Sequence, residues 1–451
     1  PYQSFSAFAG NTHFIDFDRL VEEGLLVKSD LEGLDFGQDP RKVDYAKVFN
    51  NRRPVLEKAV KRFLECGDLG AYEKFVADNS SWLEVFVEYM AIKEYFDLKA
   101  WTEWPDAALR RREAASLAHY REKLADRLTY HRVTQYLFFK QWLELKAYAN
   151  EHYIEIVGDM PIYVAADSCD VWAQPHFFKT DELGQPTCVA GCPPDEFSAT
   201  GQLWGNPIYD WKAMDKDGYS WWIKRLRESF KIYDVVRIDH FRGFESYWEI
   251  PAGSDTAAPG KWVKGPDYAL FKAVKEELGD LNIIAEDLGF MTDEVIALRE
   301  KTGFPGMKVT QFAFNPDSES IDSPHLAPNN SVMYTGTHDN NTVLGWYRDE
   351  IDDATREYMA QYTNRKEYET VPHAMLRTIF SSVSFMAIAT MQDLLELDGS
   401  ARMNYPSTIG GNWSWRMTAD ELNPVVEAEL YSLTKTYRRV NKKLLNHENE
   451  L

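Results

Sequence analysis

Basic residues are in short supply in this sequence. Its 50 Lys and Arg stand against 71 Asp and Glu, leaving a formal net charge of −21. Nucleic acids and anionic membranes both need a basic face, so neither is expected as a partner. Cysteine is also scarce. Four of them (Cys66, Cys169, Cys188 and Cys192) in 451 residues do not make a disulfide framework. The Cys188-x-x-x-Cys192 pair has no second pair and no nearby His cluster, so it reads as two ordinary thiols rather than a metal site. No apolar run is long enough to span a membrane, and no signal-peptide pattern is present. The expected location is therefore cytoplasmic. Neither G-x-G-x-x-G nor G-x-x-x-x-G-K-[ST] stands where a nucleotide-binding turn would need it.

Apolar side chains are plentiful. Hydrophobic residues make up 44% of the chain and aromatics 14%, enough for a large core. The 14 Trp and 24 Tyr go further, because a ring with a polar tip suits a surface that is at once apolar and hydrogen bonding. From about residue 45 to 150 the pattern is helical. "VFNNRRPVLEKAVKRFLE", "SSWLEVFVEYMAIKEYF" and "HRVTQYLFFKQWLELKAYANEH" repeat apolar residues every three and four positions, with charge on the other face.

The texture changes at Tyr153. Short apolar runs now recur, each closing in polar residues: "IEIVGDMPIYV", "VVRIDH", "NIIAEDLG", "MKVTQFAF", "VMYTGTHDN" and "FMAIATMQD". Helical segments separate several of them, which is the signature of a parallel sheet with crossover helices. Asp, Glu, His or Asn finishes most of these runs, and the carboxyl ends of the strands form the active face of a (β/α)8 barrel. The expected fold class is thus α/β, a TIM barrel with helical insertions. Six such runs are visible rather than eight, and the chain opens at "PYQSFSAFAG" without Met. The expectation is that the first two barrel strands are absent from the sequence.

Three carboxylates fall at strand ends. Side chains alternate along a strand, so in "YDVVRIDHFRGF" Val235, Arg237 and Asp239 share one face. Glu286 ends "IIAE", and Asp339 follows His338 in "YTGTHDN". Arg237 can keep Asp239 ionised. Glu286, beside Asp287 and near two other anions, is expected to hold its proton more tightly. One ionised and one protonated carboxyl are what retaining glycosidic cleavage requires. Each feature alone has a plain structural reading: an ion pair for Arg237 and Asp239, a solvated turn for Glu286-Asp287, a loop cap for His338-Asp339. All three at strand ends are harder to explain as structure. A Mg²⁺ or Zn²⁺ site built from these acids is the rival reading, and the fixed cation of Arg237 counts against it.

These segments resemble the conserved regions of the α-amylase clan and, within it, the 4-α-glucanotransferases of glycoside hydrolase family 77 (amylomaltases or disproportionating enzymes). The stretches "GDMPIYVAADSCDVWA", "VAGCPPDEFSATGQLWGNPIYDW", "VVRIDHFRGFESYWEIPA", "AEDLGFMTDEV", "YTGTHDNNT" and "ARMNYPSTIGGNWSWR" carry the resemblance, which covers nearly the whole chain. It implies Asp239 as nucleophile, Glu286 as general acid/base and Asp339 as the carboxylate that binds and distorts the cleaved sugar. Arg237, His338 and Asp159 match residues that hydrogen-bond that sugar, and Tyr2 a tyrosine that stacks on it. Asp195, Trp204, Phe312 and Asn404 match residues lining neighbouring subsites, and His240 one behind the nucleophile. The implied substrates are maltodextrin, amylose or glycogen-derived α-1,4-glucans with glucose as acceptor. No metal and no organic cofactor is implied.

The acids do not separate transfer from hydrolysis; that depends on whether water or a sugar hydroxyl reaches the glycosyl-enzyme. The stretch from Cys192 to Pro207 is a candidate lid, stiffened by two prolines and carrying Phe197 and Trp204. The expected organisation is a loop segment of the barrel face over 1–40, a helical insertion over 41–150, and a catalytic barrel over 151–451 with a loop insertion around 165–215. A hydrolase of the same clan, or a glucan-binding protein without catalysis, is the alternative.

Overall fold

The computed structural model describes residues 2–194, 198–317 and 319–441. The chain forms two compact units. The first comprises Pro1–Asp35, Phe49–Asn282 and Thr292–Thr302, and the second Phe36–Val48, Ile283–Met291 and Gly303–Leu451.

In the first unit the helical periodicity becomes long helices. Leu69–Tyr95 and Ala125–Glu151 pack side by side. Leu83, Val87 and Ile92 from one helix and Leu128, Val133 and Leu137 from the other are buried. Each such side chain contributes roughly 1.5–3 kcal/mol when fully buried. The polar faces are tied by a two-pronged Arg132–Glu84 pair (2.9 and 2.6 Å) and by Arg127 to Glu94.

The strands of this unit are β1 (Val157–Met160), β2 (Cys188–Cys192), β3 (Gln202–Pro207), β4 (Val235–Ile238), β5 (Ser246–Pro251) and β6 (Lys261–Lys264). β1 and β4 pair in parallel with Asp159 opposite Arg237. The other four form an antiparallel sheet in the order β3-β2-β5-β6. Of the stretch read as a lid, Gln202–Pro207 is therefore strand, held to β2 by main-chain hydrogen bonds. Gly191 permits this pairing: a Cβ there would lie 2.1 Å from the Gln202 carbonyl oxygen. The register also shifts between Val189 and Gly191, as a bulge would cause.

The second unit holds β7 (Ile283–Ala285), β8 (Gly306–Val309), β9 (Ser331–Tyr334) and β10 (Met386–Ile388). β8, β9 and β10 form a parallel sheet with β9 in the middle. Helices Asp353–Thr363 and Val371–Ser381 lie between β9 and β10 in the chain. The second helix buries Leu376, Ile379 and Phe380 in one cluster with Met333 of β9 and Leu433. β8 and β9 are buried along their whole length, so their apolar runs do not alternate. All six apolar runs of the sequence contain a strand, and the chain is a mixed α/β protein with parallel strands. All four cysteines are free. Among the described residues, no helix is long and apolar enough to cross a membrane.

Candidate active site

In the first unit, parallel register builds the local geometry. Because Asp159 and Arg237 are cross-strand neighbours, the guanidinium reaches the Asp159 carboxylate directly. Arg237 Nη1 donates to both Asp159 oxygens at 2.7 Å. Nη2 lies 3.0 Å from Asp239 Oδ1. One buried guanidinium thus bridges two carboxylates, with only 9% of its side chain exposed. β4 ends at Ile238, but the Asp239 N–H still donates to the Met160 carbonyl at 3.0 Å. That last bond keeps Asp239 on the Arg237 side of the strand.

His240 then breaks the line. Its φ of 52° places it in the left-handed region and turns the chain into the short helix Phe241–Phe244. The ring meets Trp204 edge-on, with centroids 4.8 Å apart and planes at 89°. Burial, helped by the charge of Arg242, lowers its pKa to about 3. His240 is therefore a neutral imidazole at physiological pH. Trp204 is half-buried on β3, its indole N–H donating to the Gln202 side chain at 3.0 Å. Tyr2 is half-buried. Asp195 lies outside the described residues, as does Phe197.

In the second unit, Glu286 follows directly on β7, half-buried, and its Oε1 accepts the Leu288 N–H at 2.8 Å. Its neighbour Asp287 has a different task. It is buried, and its Oδ1 accepts the Met307 N–H at 2.6 Å, tying the loop to β8. The acidic pair is not a solvated turn: one carboxylate anchors the loop that carries the other. Phe312 sits in the turn after β8 with 44% of its surface exposed.

Asp339 and its neighbours follow β9. The Asp339 N–H donates to the Thr337 hydroxyl at 3.2 Å, and Thr337 is fixed in turn by Asn340. Asn404 is buried, and its amide donates to Asp339 Oδ1 at 2.6 Å. His338 Nε2 lies 3.5 Å from the other Asp339 oxygen, and the His338 ring packs on Trp413 at 4.9 Å. Arg402 ties the set together. It donates to the backbone carbonyls of Asp339 (2.6 Å) and Asn404 (2.9 Å) and reaches Glu350 at 3.2 Å.

Six of the residues expected to act thus gather in two groups, Asp159–Arg237–Asp239 in one unit and His338–Asp339–Asn404 in the other, while Glu286 stands at the end of β7 in the second unit. A family model described as 4-alpha-glucanotransferase, glycoside hydrolase family 77, matches residues 1–422. The chain belongs to this family. It is 79% identical to the 4-alpha-glucanotransferase of Streptococcus pneumoniae serotype 4, over 99% of this chain and 88% of that protein. The Thermus thermophilus 4-alpha-glucanotransferase is 45% identical over 98% of this chain and 89% of its own length. The solved amylomaltase from Streptococcus agalactiae in complex with acarbose superposes with a TM-score of 0.96. Its identity is 48%, covering 98% of this chain and 89% of that one. The activity of the chain is that of a 4-alpha-glucanotransferase.

Arg402, Trp413 and Thr337 of this family member also shape the site, through Asp339, Asn404 and His338. Their signal in the sequence is weak. Arg402 stands two residues before Asn404 in "ARMNYP", and nothing in that spacing shows that its guanidinium folds back to the loop after β9.

Proposed function

We propose that the chain carries out 4-α-glucan transfer by double displacement, within a (β/α)8 barrel whose strand ends carry the acids. An Asp239 oxygen attacks the anomeric carbon of the donor. The bond from that carbon to the glycosidic oxygen breaks, and Glu286 gives its proton to that oxygen as the shortened glucan leaves. In the second half, Glu286 as carboxylate takes the proton of an acceptor 4-hydroxyl. The acceptor oxygen then attacks the anomeric carbon and Asp239 is released. Asp339, oriented by Asn404, holds the hydroxyls of the sugar being cleaved, with His338, Arg237 and Asp159. Tyr2, Asp195, Trp204 and Phe312 line neighbouring sugar positions. His240, neutral and packed on Trp204, supports the nucleophile from behind.

The observation that carries this reading is the Arg237 bridge. A guanidinium held within 3.0 Å of Asp239 and 2.7 Å of Asp159 favours the ionised form of the nucleophile. It also fills the place between the two carboxylates that a metal ion would take, which supports a mechanism without a metal there. The donors are maltodextrin, amylose or glycogen-derived glucans, the acceptor is glucose or another glucan, and the setting is cytoplasmic. The helices of 41–150 and the segment 1–40 serve as an insertion and a loop of the barrel face around the catalytic region 151–451.

Incubation with maltotriose tests the reading. Transfer yields glucose and a ladder of longer maltodextrins, whereas glucose and maltose alone would show hydrolysis. Glu286→Gln should abolish turnover, and a fully active variant would remove Glu286 from the acid/base role.

A further inference from the structure

A cavity of about 640 Å³ opens within the second unit, lined by Tyr368, Glu369, His373, Arg377, Glu396 and Glu429. None of these residues belongs to the catalytic set. The volume falls within the roughly 300–1,000 Å³ of small-ligand sites. Its floor is rigid. Glu369 is buried, and its two oxygens accept from Arg377 Nε and Nη2 at 2.8 and 2.9 Å, while His373 Nδ1 lies 2.8 Å from Oε1. Arg377 is anchored further by the Thr363 carbonyl.

The other acidic residues of the lining are less engaged. Among the described residues, Glu429 approaches His373 Nε2 at 3.6 Å, and Glu396 takes a hydroxyl hydrogen bond from Thr370. Both carboxylates keep acceptor capacity for a guest. The side chain of Lys366, also on the lining, adds a donor. Tyr368, likewise on the lining, is a large ring with 90% of its surface exposed. Its face is therefore open to a guest.

We propose that this cavity is a second, non-catalytic α-glucan site, with the Tyr368 ring stacking on one sugar face and Glu396 and Glu429 accepting its hydroxyls. Sugars present an apolar C–H face and hydroxyls that both donate and accept. An exposed ring beside carboxylates, a guanidinium and an ammonium matches both features. Glu369 already balances Arg377, so Lys366 stands against Glu396 and Glu429, and a polyamine is the competing guest that the test below separates from a glucan. The site would keep a long glucan on the enzyme between transfers by raising its effective concentration. This role rests on the α-glucan reading above.

Calorimetric titration of maltoheptaose into full-length Asp239→Asn, which should not turn over, tests it. The expected stoichiometry is two, falling to one when Tyr368→Ala is added. In the otherwise wild-type enzyme, Tyr368→Ala should raise KM for amylose about five- to tenfold, the scale of one lost aromatic stack, with kcat on maltotriose unchanged. Glu429→Gln should weaken the second site in the same way. A stoichiometry of one in both proteins overturns the proposal. So does spermidine binding to the wild type that Glu429→Gln abolishes while maltoheptaose binding is unaltered. Wild-type enzyme with no turnover of maltotriose would instead sink the catalytic reading, and the binding stoichiometry would still decide this one.

Discussion

Replacing Arg237 separates its charge from its shape. The side chain makes two contacts of 2.7 Å with Asp159 and one of 3.0 Å with Asp239. Arg237→Met removes all three and leaves two carboxylates facing each other with no cation between them. Breaking a fully buried pair costs about 3–5 kcal/mol. Here the Asp159 and Asp239 side chains remain 39% and 26% exposed, so solvent recovers part of that cost. Discounting for this screening leaves about 2–3 kcal/mol, or roughly a 30- to 150-fold fall in kcat if the loss falls on the nucleophile. Arg237→Lys keeps the charge, but a single ammonium cannot fork to both acids, so a loss of about tenfold is expected. The assay is the initial rate of glucose release from maltotriose, with Tm measured beside it to exclude unfolding. An Arg237→Met enzyme within about threefold of wild type at unchanged Tm would refute the reasoning, since the bridge would then contribute under about 1 kcal/mol.

Other consequences can be read from the same structure. Asn404→Ala deletes the 2.6 Å hydrogen bond to Asp339, and kcat/KM on maltotriose should fall about tenfold, as expected for one bond to a charged group. His240 has its pKa lowered from 6.5 to about 3, so it stabilises the fold fully above pH 6.5 and loses that contribution as pH falls from 6.5 toward 3. His240→Asn tolerates the left-handed backbone, and its Tm should drop less than that of wild type between about pH 7 and about pH 5. Asp170 is the opposite case. Burial pushes its carboxyl up from 3.8 to about 6 against the hydrogen bond from the Ala7 N–H, so native stability falls as pH rises through that window. Asp170→Asn keeps an acceptor oxygen and should be more stable than wild type at pH 7, by up to ~3 kcal/mol in denaturant unfolding, with the gain vanishing toward pH 4.

Strand positions were legible in the sequence because a buried parallel strand must be a short apolar run, and its polar end marks where the backbone reaches the site. Asp239, Glu286 and Asp339 could be found this way, since each follows such a run by one to five residues. Local pattern could not show who shares a hydrogen bond. Asp159 and Arg237 are 78 residues apart, and only the parallel register of β1 and β4 makes them neighbours. Alternation suggested a pair, Arg237 with Asp239; register turned it into a bridge between three residues. The antiparallel sheet was hidden for a related reason. "CVAGC" and "QLWGNP" carry Gly, Pro and polar residues, the composition of a loop, yet the missing Cβ at Gly191 is what lets β3 approach β2. The acidic pair Glu286-Asp287 divides in the same manner. A sequence weighs two adjacent carboxylates alike, whereas the fold turns Asp287 inward to hold the Met307 N–H and leaves Glu286 half-exposed beside it. That anchoring makes Glu286 a candidate acid rather than a mobile surface charge, because a carboxyl that must deliver a proton to one atom needs a backbone that stays in place.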